Sequence, residues 1–490
     1  MDYPGFVGPS NTSPAQMADH ERLVNWYIET VQSAGAPTRA VLLPTPGFRS
    51  FTTMGAVGCR ALLDLTTHVY AVYGDKFKRV DASGTVTDLA TVALDANPAT
   101  LSYNGPTGGQ IFVTSGANGY VYTISSGAFT QVLTGTALMG AAKDGSFLAL
   151  DATSGQVRQS NANDGLTGWT NPTMAFSWNL PDKIAAMVVS NDELWLIGES
   201  LGAVFYHTGA FPQPFGPIPG AVFNYGTRAP FSVKAGGDSI VWLSHNKEGA
   251  GSILMASGYT PGSISSYAVG QAISKYDATF GTRDCECLVY KQNEHTFVNV
   301  TFPAAQATWT LDKELSLWHE RGRWNESRAA YDHWAPRMNV HAFGKHLVGD
   351  RTSNLLQEMR ADYGTEIDGG PIRRLRVPPP LWASTRGRLS VSRFDVVLDS
   401  GLGTPTGQGQ HPDIRLRVSL DGGYTWGSQR RTSAGTMGQY GLRPYWVGLG
   451  SSETIWTPEV VVSDPVPYRL SMAMVEGQGI RQTGAPQAQN

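Results

Sequence analysis

Apolar residues in this chain gather into short runs separated by turn residues, and only briefly do they keep the 3.6-residue period of an amphipathic helix. The stretch Asn191 to Gly209, NDELWLIGESLGAVFYHTG, shows the unit most clearly. Leu194, Trp195, Leu196 and Ile197 lead into a turn at Gly198-Glu199-Ser200, and Val204, Phe205 and Tyr206 lead out to Gly209. Bulky aliphatic and aromatic side chains fit a pleated surface, and glycine accepts turn angles that a side chain forbids, so the stretch predicts a β-hairpin. Ile184 to Val189, set off by Asn191-Asp192, supplies a third strand. A lone three-stranded meander buries one face at best, so it needs neighbours of its own kind.

From about Leu62 to Tyr363 the cycle recurs. Hairpins are predicted over His68 to Val80, Gly109 to Ile124, Phe147 to Ser160, Ser232 to Ser244, Glu286 to Phe302 and Val340 to Met359. With the opening meander these make seven units spaced by roughly 40 to 50 residues, the interval of propeller blades. Residues 51–368 are therefore expected to close into one β-propeller of six or seven blades. Residues 1–50 break the pattern with Pro4, Pro9, Pro14, Pro37, Pro44 and Pro46. Their apolar patch of Leu23, Val24, Trp26, Tyr27, Ile28 and Val31 fits a short helix ended by Gly35, or an extended arm. The arm is preferred, and Trp26, Tyr27 and Ile28 become candidates for an assembly contact because no repeat partner covers them. Residues 369–385 include PIRRLRVPPP, which reads as a rigid basic connector. Residues 386–475 carry alternating runs expected of a small β-sandwich, and 476–490 read as a mobile tail.

Composition sharpens this all-β picture. The chain of 490 residues holds 56 glycines and 29 prolines, with only 16% charged residues, which suits many short strands and tight turns. A net charge of −3 gives no basic field for gripping a polyanion, so any dealings with DNA must be geometric. Cys59, Cys285 and Cys287 are odd in number and lack CxxC spacing, which argues against a disulfide framework and a zinc site. The N-terminal sequence has no basic region followed by an apolar run, and no apolar run approaches about 18 residues, so no membrane anchor is expected.

Four groups of residues were weighed for chemistry. Ser419, Asp421, Gly423, Thr425 and Trp426 match the Asp-box pattern S-x-D-x-G-x-T-W known from sialidases and other propellers. Short Asp and Thr side chains bond turn backbone, glycine takes the bend and Trp packs beneath, so the box fastens a turn. Arg321, Arg323 and Arg328, with Arg373, Arg374 and Arg376, form the densest cationic clusters, and ion-paired or interface roles are favoured over phosphate contacts. Asp284 and Glu286 read as blade-edge residues, and His341 and His346 share a hairpin without ligand spacing. No phosphate-cradling GxxxxGK[ST] or nucleophile-elbow GxSxG is present in a suitable context, and neither catalytic residues, a metal nor a cofactor is expected.

Several segments in chain order resemble the packaged DNA stabilisation protein family, the tail hub proteins of short-tailed bacteriophages. They are VNWYIE (Val24 to Glu29), PTPGF (Pro44 to Phe48), the Asn191 to Gly209 hairpin with FPQPF after it, HTFVNVTFPAAQATWTLD (His295 to Asp312), LWHERG (Leu317 to Gly322), LRVSLDGGYTW and VSDPVPYRL (Val462 to Leu470). Ile28 departs from the family, where a proline often follows NWY. The resemblance implies a non-enzymatic virion tail protein, assembled in the host cytoplasm as a ring of six copies. Its implied partners are the portal or head-to-tail adaptor above and tail needle, spike or fibre proteins below. Its implied role is retaining packaged DNA, which passes through without sequence-specific binding. The alternative from the Asp-box is a sialidase-like propeller that binds or cleaves glycans.

Overall fold

The computed structural model describes residues 1–13, 15–17, 19–31, 40–151, 153–169, 182–210, 214–246, 249–384 and 387–480. Gly35, where the alternative helix would end, and the tail beyond residue 480 lie outside the described residues. Strands dominate, with one α-helix, Tyr267–Phe280, among the described residues; no helix there is long and apolar enough to cross a membrane. The chain divides into two compact units. One comprises Ser50–Gln306 and Ala335–Met359; the other comprises Met1–Arg49, Ala307–Trp334 and Arg360–Asn490.

In the first unit the strands form successive antiparallel meanders. Cys59–Asp64, His68–Tyr73, Lys76–Asp81 and Val86–Thr91 make one sheet, and Thr100–Tyr103 opens the next. Further sheets or hairpins open with Met139–Lys143, Ile184–Ser190, Lys234–Gly236, Glu286–Gln292 and Pro336–Ala342. These opening strands neighbour one another in sequence, and Pro336–Ala342 returns to lie beside Cys59–Asp64, so the unit is a closed ring. Residues 50–53, the end of strand Gly47–Thr53, complete the last sheet, which joins early and late chain in one ladder.

Strand periodicity explains how each sheet serves two interfaces. Ile111 and Val113 of strand Gln110–Ser115 pack with Tyr70, Val72 and Phe77 of the preceding sheet. Phe112 points the opposite way and stacks on Phe147 of the following sheet at 5.4 Å and on Trp169 at 5.0 Å. Because alternate residues face opposite sides of a sheet, a blade between two neighbours must be apolar on both faces, and all six residues of this strand are buried. Close packing also fixes a glycine: a Cβ at Gly140 would come within 2.6 Å of the Phe112 ring.

The second unit is a sandwich. One sheet runs Trp26–Thr30, Ala40–Pro44, Leu470–Gln478, Leu389–Leu398, Tyr445–Val447. The facing layer contains Ala307–Asp312, Leu317–Asn325, His20–Val24, Arg374–Val377, Ile455–Val462, Asp413–Ser419 and Arg430–Ser433. Trp26, Leu42, Phe394, Leu416, Trp456 and Leu470 share its core. The N-terminal chain passes from one sheet to the other at Asn25, which adopts φ 60° and is 2% exposed. Its side-chain amide donates to the carbonyls of Gly322 (2.7 Å) and Arg373 (2.8 Å) and its oxygen accepts from Gly322 N (3.1 Å), which settles the polar groups this crossing would strand.

The structure therefore draws different boundaries from those expected. The described part of residues 1–50 is largely extended, and His20–Val24, Trp26–Thr30 and Ala40–Pro44 are strands of the sandwich where a separate arm was expected. Arg374–Val377 is an interior strand, paired with His20–Val24 on one side and Ile455–Val462 on the other, where a connector was expected over 369–385. Residues 307–334 and 360–368, expected within the propeller, belong to the sandwich unit. Residues 476–478, assigned to the tail, finish strand Leu470–Gln478.

Candidate functional site

The opening strands of the ring surround a cavity of about 540 Å3. Its wall includes Leu62, Leu101, Ala141, Val188, Val233 and Met338, with Lys234, Glu286 and Arg337 as the charged groups. Glu286 accepts from Arg337 through both oxygens, Nε at 3.0 Å and Nη2 at 2.9 Å, and pairs with Arg351 at 2.6 Å. Arg337 Nη2 also donates to the Ala96 carbonyl at 2.8 Å. Both carboxylate oxygens are thus engaged by guanidinium groups. The arginines instead stitch the ring: Arg60 donates to the carbonyls of Asn97 (2.9 Å) and Ala93 (3.1 Å), to Ser115 Oγ (2.7 Å), and pairs with Asp95. Burial, reinforced by the nearby Arg337 charge, lowers the Arg60 pKa to about 10. Asp284 caps a backbone amide, accepting from Ala304 N at 2.7 Å. His341 and His346 stand opposite each other in register, and burial with the neighbouring His341 lowers His346 to about 4.

The Asp-box lies in the sandwich unit, outside the ring. Ser419 Oγ donates to Asp421 Oδ1 (2.7 Å) and accepts from Gly423 N (2.7 Å). Asp421 in turn accepts from Thr425 N (2.9 Å) and from Thr425 Oγ1 (2.5 Å). Gly422 and Gly423 take φ 79° and 96°, angles that favour glycine. Partial burial opposes the Asp421 charge, but the bonds from Thr425 and Ser419 outweigh it and hold the carboxyl at about 2. Trp426 is half-buried against Val24, Leu375, Val377 and Val461, with the Arg417 guanidinium 4.9 Å over its ring.

Five of the six candidate assembly residues are buried, and Arg373 is partly exposed. Trp26 and Tyr27 are each 1% exposed and Ile28 7%, because the strands of the chain's own sandwich cover the patch. Arg374 (1%) and Arg376 (0%) are buried as well, and Arg373 stacks at 3.8 Å on the Trp324 ring. Trp26, Tyr27, Ile28, Arg374 and Arg376, enclosed by their own unit, have no area left to offer a partner, whereas Arg373 keeps part of its surface. Arg323 pairs with Asp368 and Arg328 with Asp332, while buried Arg321 lies 4.9 Å over the Trp334 ring. The sequence reading missed Glu21, Arg22 and Asn25. Arg22 grips Glu320 bidentately (3.0 and 2.6 Å), a pairing across nearly three hundred residues that no local spacing announces.

A closed ring of antiparallel sheets stitched by arginines defines a β-propeller. A family model described as bacteriophage P22 Gp10, β-propeller, matches residues 20–363, and the chain belongs to that family of phage packaged-DNA stabilisation proteins. No curated protein matches the chain. Among solved structures, the N-terminal domain of Nup159 aligns at 10% identity over 69% of this chain and 98% of its own, with a TM-score of 0.39. The extracellular domain of a hybrid two component system from B. thetaiotaomicron aligns at 7% identity over 75% of this chain and 43% of its own, TM-score 0.43. A nidogen/laminin complex chain aligns at 10% identity over 54% and 96%, TM-score 0.32.

Proposed function

We propose that this protein is a tail hub: a ring of six copies below the portal and its head-to-tail adaptor that closes the channel and keeps packaged DNA inside until ejection. The family match across residues 20–363 carries this reading, because it spans the propeller from end to end. The electrostatics support it. A net charge of −3 gives no overall basic balance to grip DNA, and Glu286, Arg337 and Arg60 are engaged by protein groups. A mildly acidic plug retains DNA sterically and lets it slide out later, whereas a basic one would hold it. Rings form when subunit contacts are heterologous and the rotation closes. The lower face would dock a tail needle, spike or fibre protein, and the protein would act in the virion tail after assembly in the host cytoplasm, without enzymatic activity.

Particles assembled with and without this protein test the reading. DNA-filled heads lacking it should lose DNA to added nuclease within the time that complete particles remain protected, and adding the purified protein should restore protection. Equal protection in both would overturn the proposal. The glycan-cleaving alternative gains no supporting observation from the described residues, since its Asp-box is a closed turn and Glu286 is held by two arginines.

A further inference from the structure

Beside the hairpin Ile184 to Gly198 lies a second recess of about 290 Å3, bounded by the sheet of that hairpin and the sheet that follows it. Trp195 and Tyr259 form its aromatic wall, with ring centroids 6.2 Å apart and planes inclined at 36°. Trp195 is fixed from behind by Phe223 at 6.0 Å and is 5% exposed, whereas Tyr259 is 40% exposed and turned to solvent. Ile240 adds aliphatic surface. Two carboxylates complete the lining. Glu193 accepts a hydrogen bond from the Tyr259 hydroxyl, which holds ring and carboxylate as one surface. Asp238 is exposed in the tight turn between Lys234–Gly236 and Ser239–Asn246, and its carboxylate has no hydrogen bond or ion pair among the described residues. Lysine, arginine and histidine are all missing from the described lining.

The asymmetry is chemical. Two negative charges meet the negative faces of two aromatic rings in a recess, and no positive group of the lining answers them. Cations are drawn to such faces and carboxylates alike, more strongly where water is partly excluded. The volume lies at the small end of ligand sites, fitting a single amino-acid side chain or a small amine. We propose that this recess binds an organic cation, an alkylammonium or guanidinium group, with its charge between Glu193 and Asp238 and its carbon stem against Trp195 and Tyr259. This inference does not depend on the tail-hub reading; it would hold for the propeller in any setting.

The test uses the full chain labelled with 5-fluorotryptophan, the Trp195 resonance being assigned by its loss in Trp195→Phe. Methylammonium, tetramethylammonium, N-acetyl-lysine methylamide and N-acetyl-arginine methylamide are titrated separately, with N-acetyl-norleucine methylamide as the uncharged control. A saturable shift of the Trp195 line with the cations, but not with norleucine, is expected. Asp238→Asn should weaken it about tenfold, the loss of one charge contact of about 1.4 kcal/mol. Because Asp238 is exposed and unbonded, the other tryptophan lines should not move in that variant. Binding confined to the lysine and arginine derivatives would assign the site to a partner's side chain, and equal binding of the simple ammonium ions to a free amine. No shift with any cation, an equal shift with norleucine, or an undiminished shift in both Asp238→Asn and Glu193→Gln would overturn the proposal.

Discussion

Arg376 and Glu21 form an ion pair of 2.9 Å in which the arginine is fully buried. The same guanidinium donates to the carbonyls of Gly5 (2.6 Å), Phe6 (2.6 Å) and Pro9 (3.1 Å), so one side chain fastens the first residues of the chain to an interior strand of the sandwich. Its planar fork satisfies several acceptors at once, which a lysine cannot do.

Replacing Arg376 by Met should cost about 3 to 5 kcal/mol, because Glu21 and the carbonyls of Gly5, Phe6, Pro9 and Arg22 lose this donor inside the fold. Arg376→Lys should recover only a small part of that. Equilibrium unfolding in denaturant measures both, and a Met variant as stable as the parent would show that the clamp is dispensable.

Deleting residues 1–48 should unfold the sandwich unit. The deletion removes strands His20–Val24, Trp26–Thr30 and Ala40–Pro44 and takes Trp26 and Leu42 out of the core. Limited proteolysis is the readout: rapid cleavage within residues 389–478 is expected, and protection equal to the full chain would show that the segment is an appendage.

The contrast between the two units shows what local pattern can carry. The hairpin over Glu193–Gly198 and Gly202–His207 was legible because its register is set by a two-residue turn and by side chains that alternate between neighbouring blades. The sandwich was partly hidden because its pairings join residues hundreds of positions apart, as in Leu23 opposite Arg376. Ile455–Val462 carries Pro458, which argues against an interior strand, yet the proline stands opposite Val418 within the ladder. Arg374 and Arg376 read as part of a basic connector because buried arginine is rare, and only tertiary partners reveal the burial. At the candidate site, the Asp-box turn could be read from its own residues, whereas the clasp of Glu286 by Arg337 and Arg351 needed the ring to close.

Glu366 is a buried carboxyl with Oε2 unbonded to protein, and burial, followed by the nearby Asp368, raises its pKa to about 8 despite Arg374 and Arg323. The unfolded chain releases this proton near pH 4.3, so the native state loses stability as pH rises from about 4.5 to about 8, each unit being worth about 1.4 kcal/mol. Glu366→Gln should remove that loss. Its melting temperature should match the parent near pH 4.5, exceed it increasingly up to about pH 8, and keep a constant lead above. A lead independent of pH would mean that Glu366 is already ionised in the fold.

Asp421 has the opposite sign. Its folded value of about 2 lies below the unfolded one, so its contribution is present above about pH 4 and is lost as pH falls toward 2. Asp421→Ala should lower stability by about 1 kcal/mol at neutral pH, with the difference shrinking in acid. Thermal melts across pH 2 to 7 check this, and a binding defect with unchanged melting would contradict the structural role of the turn.

The channel-closing role is tested most directly by an averaged electron cryo-microscopy reconstruction of DNA-filled particles carrying this protein. Six copies should form one ring on the tail axis, directly beneath the head-to-tail connector, with the end of the packaged DNA stopping at or above the ring. Copies found instead as separate projections off the axis, or a ring traversed by an open channel, would contradict the role.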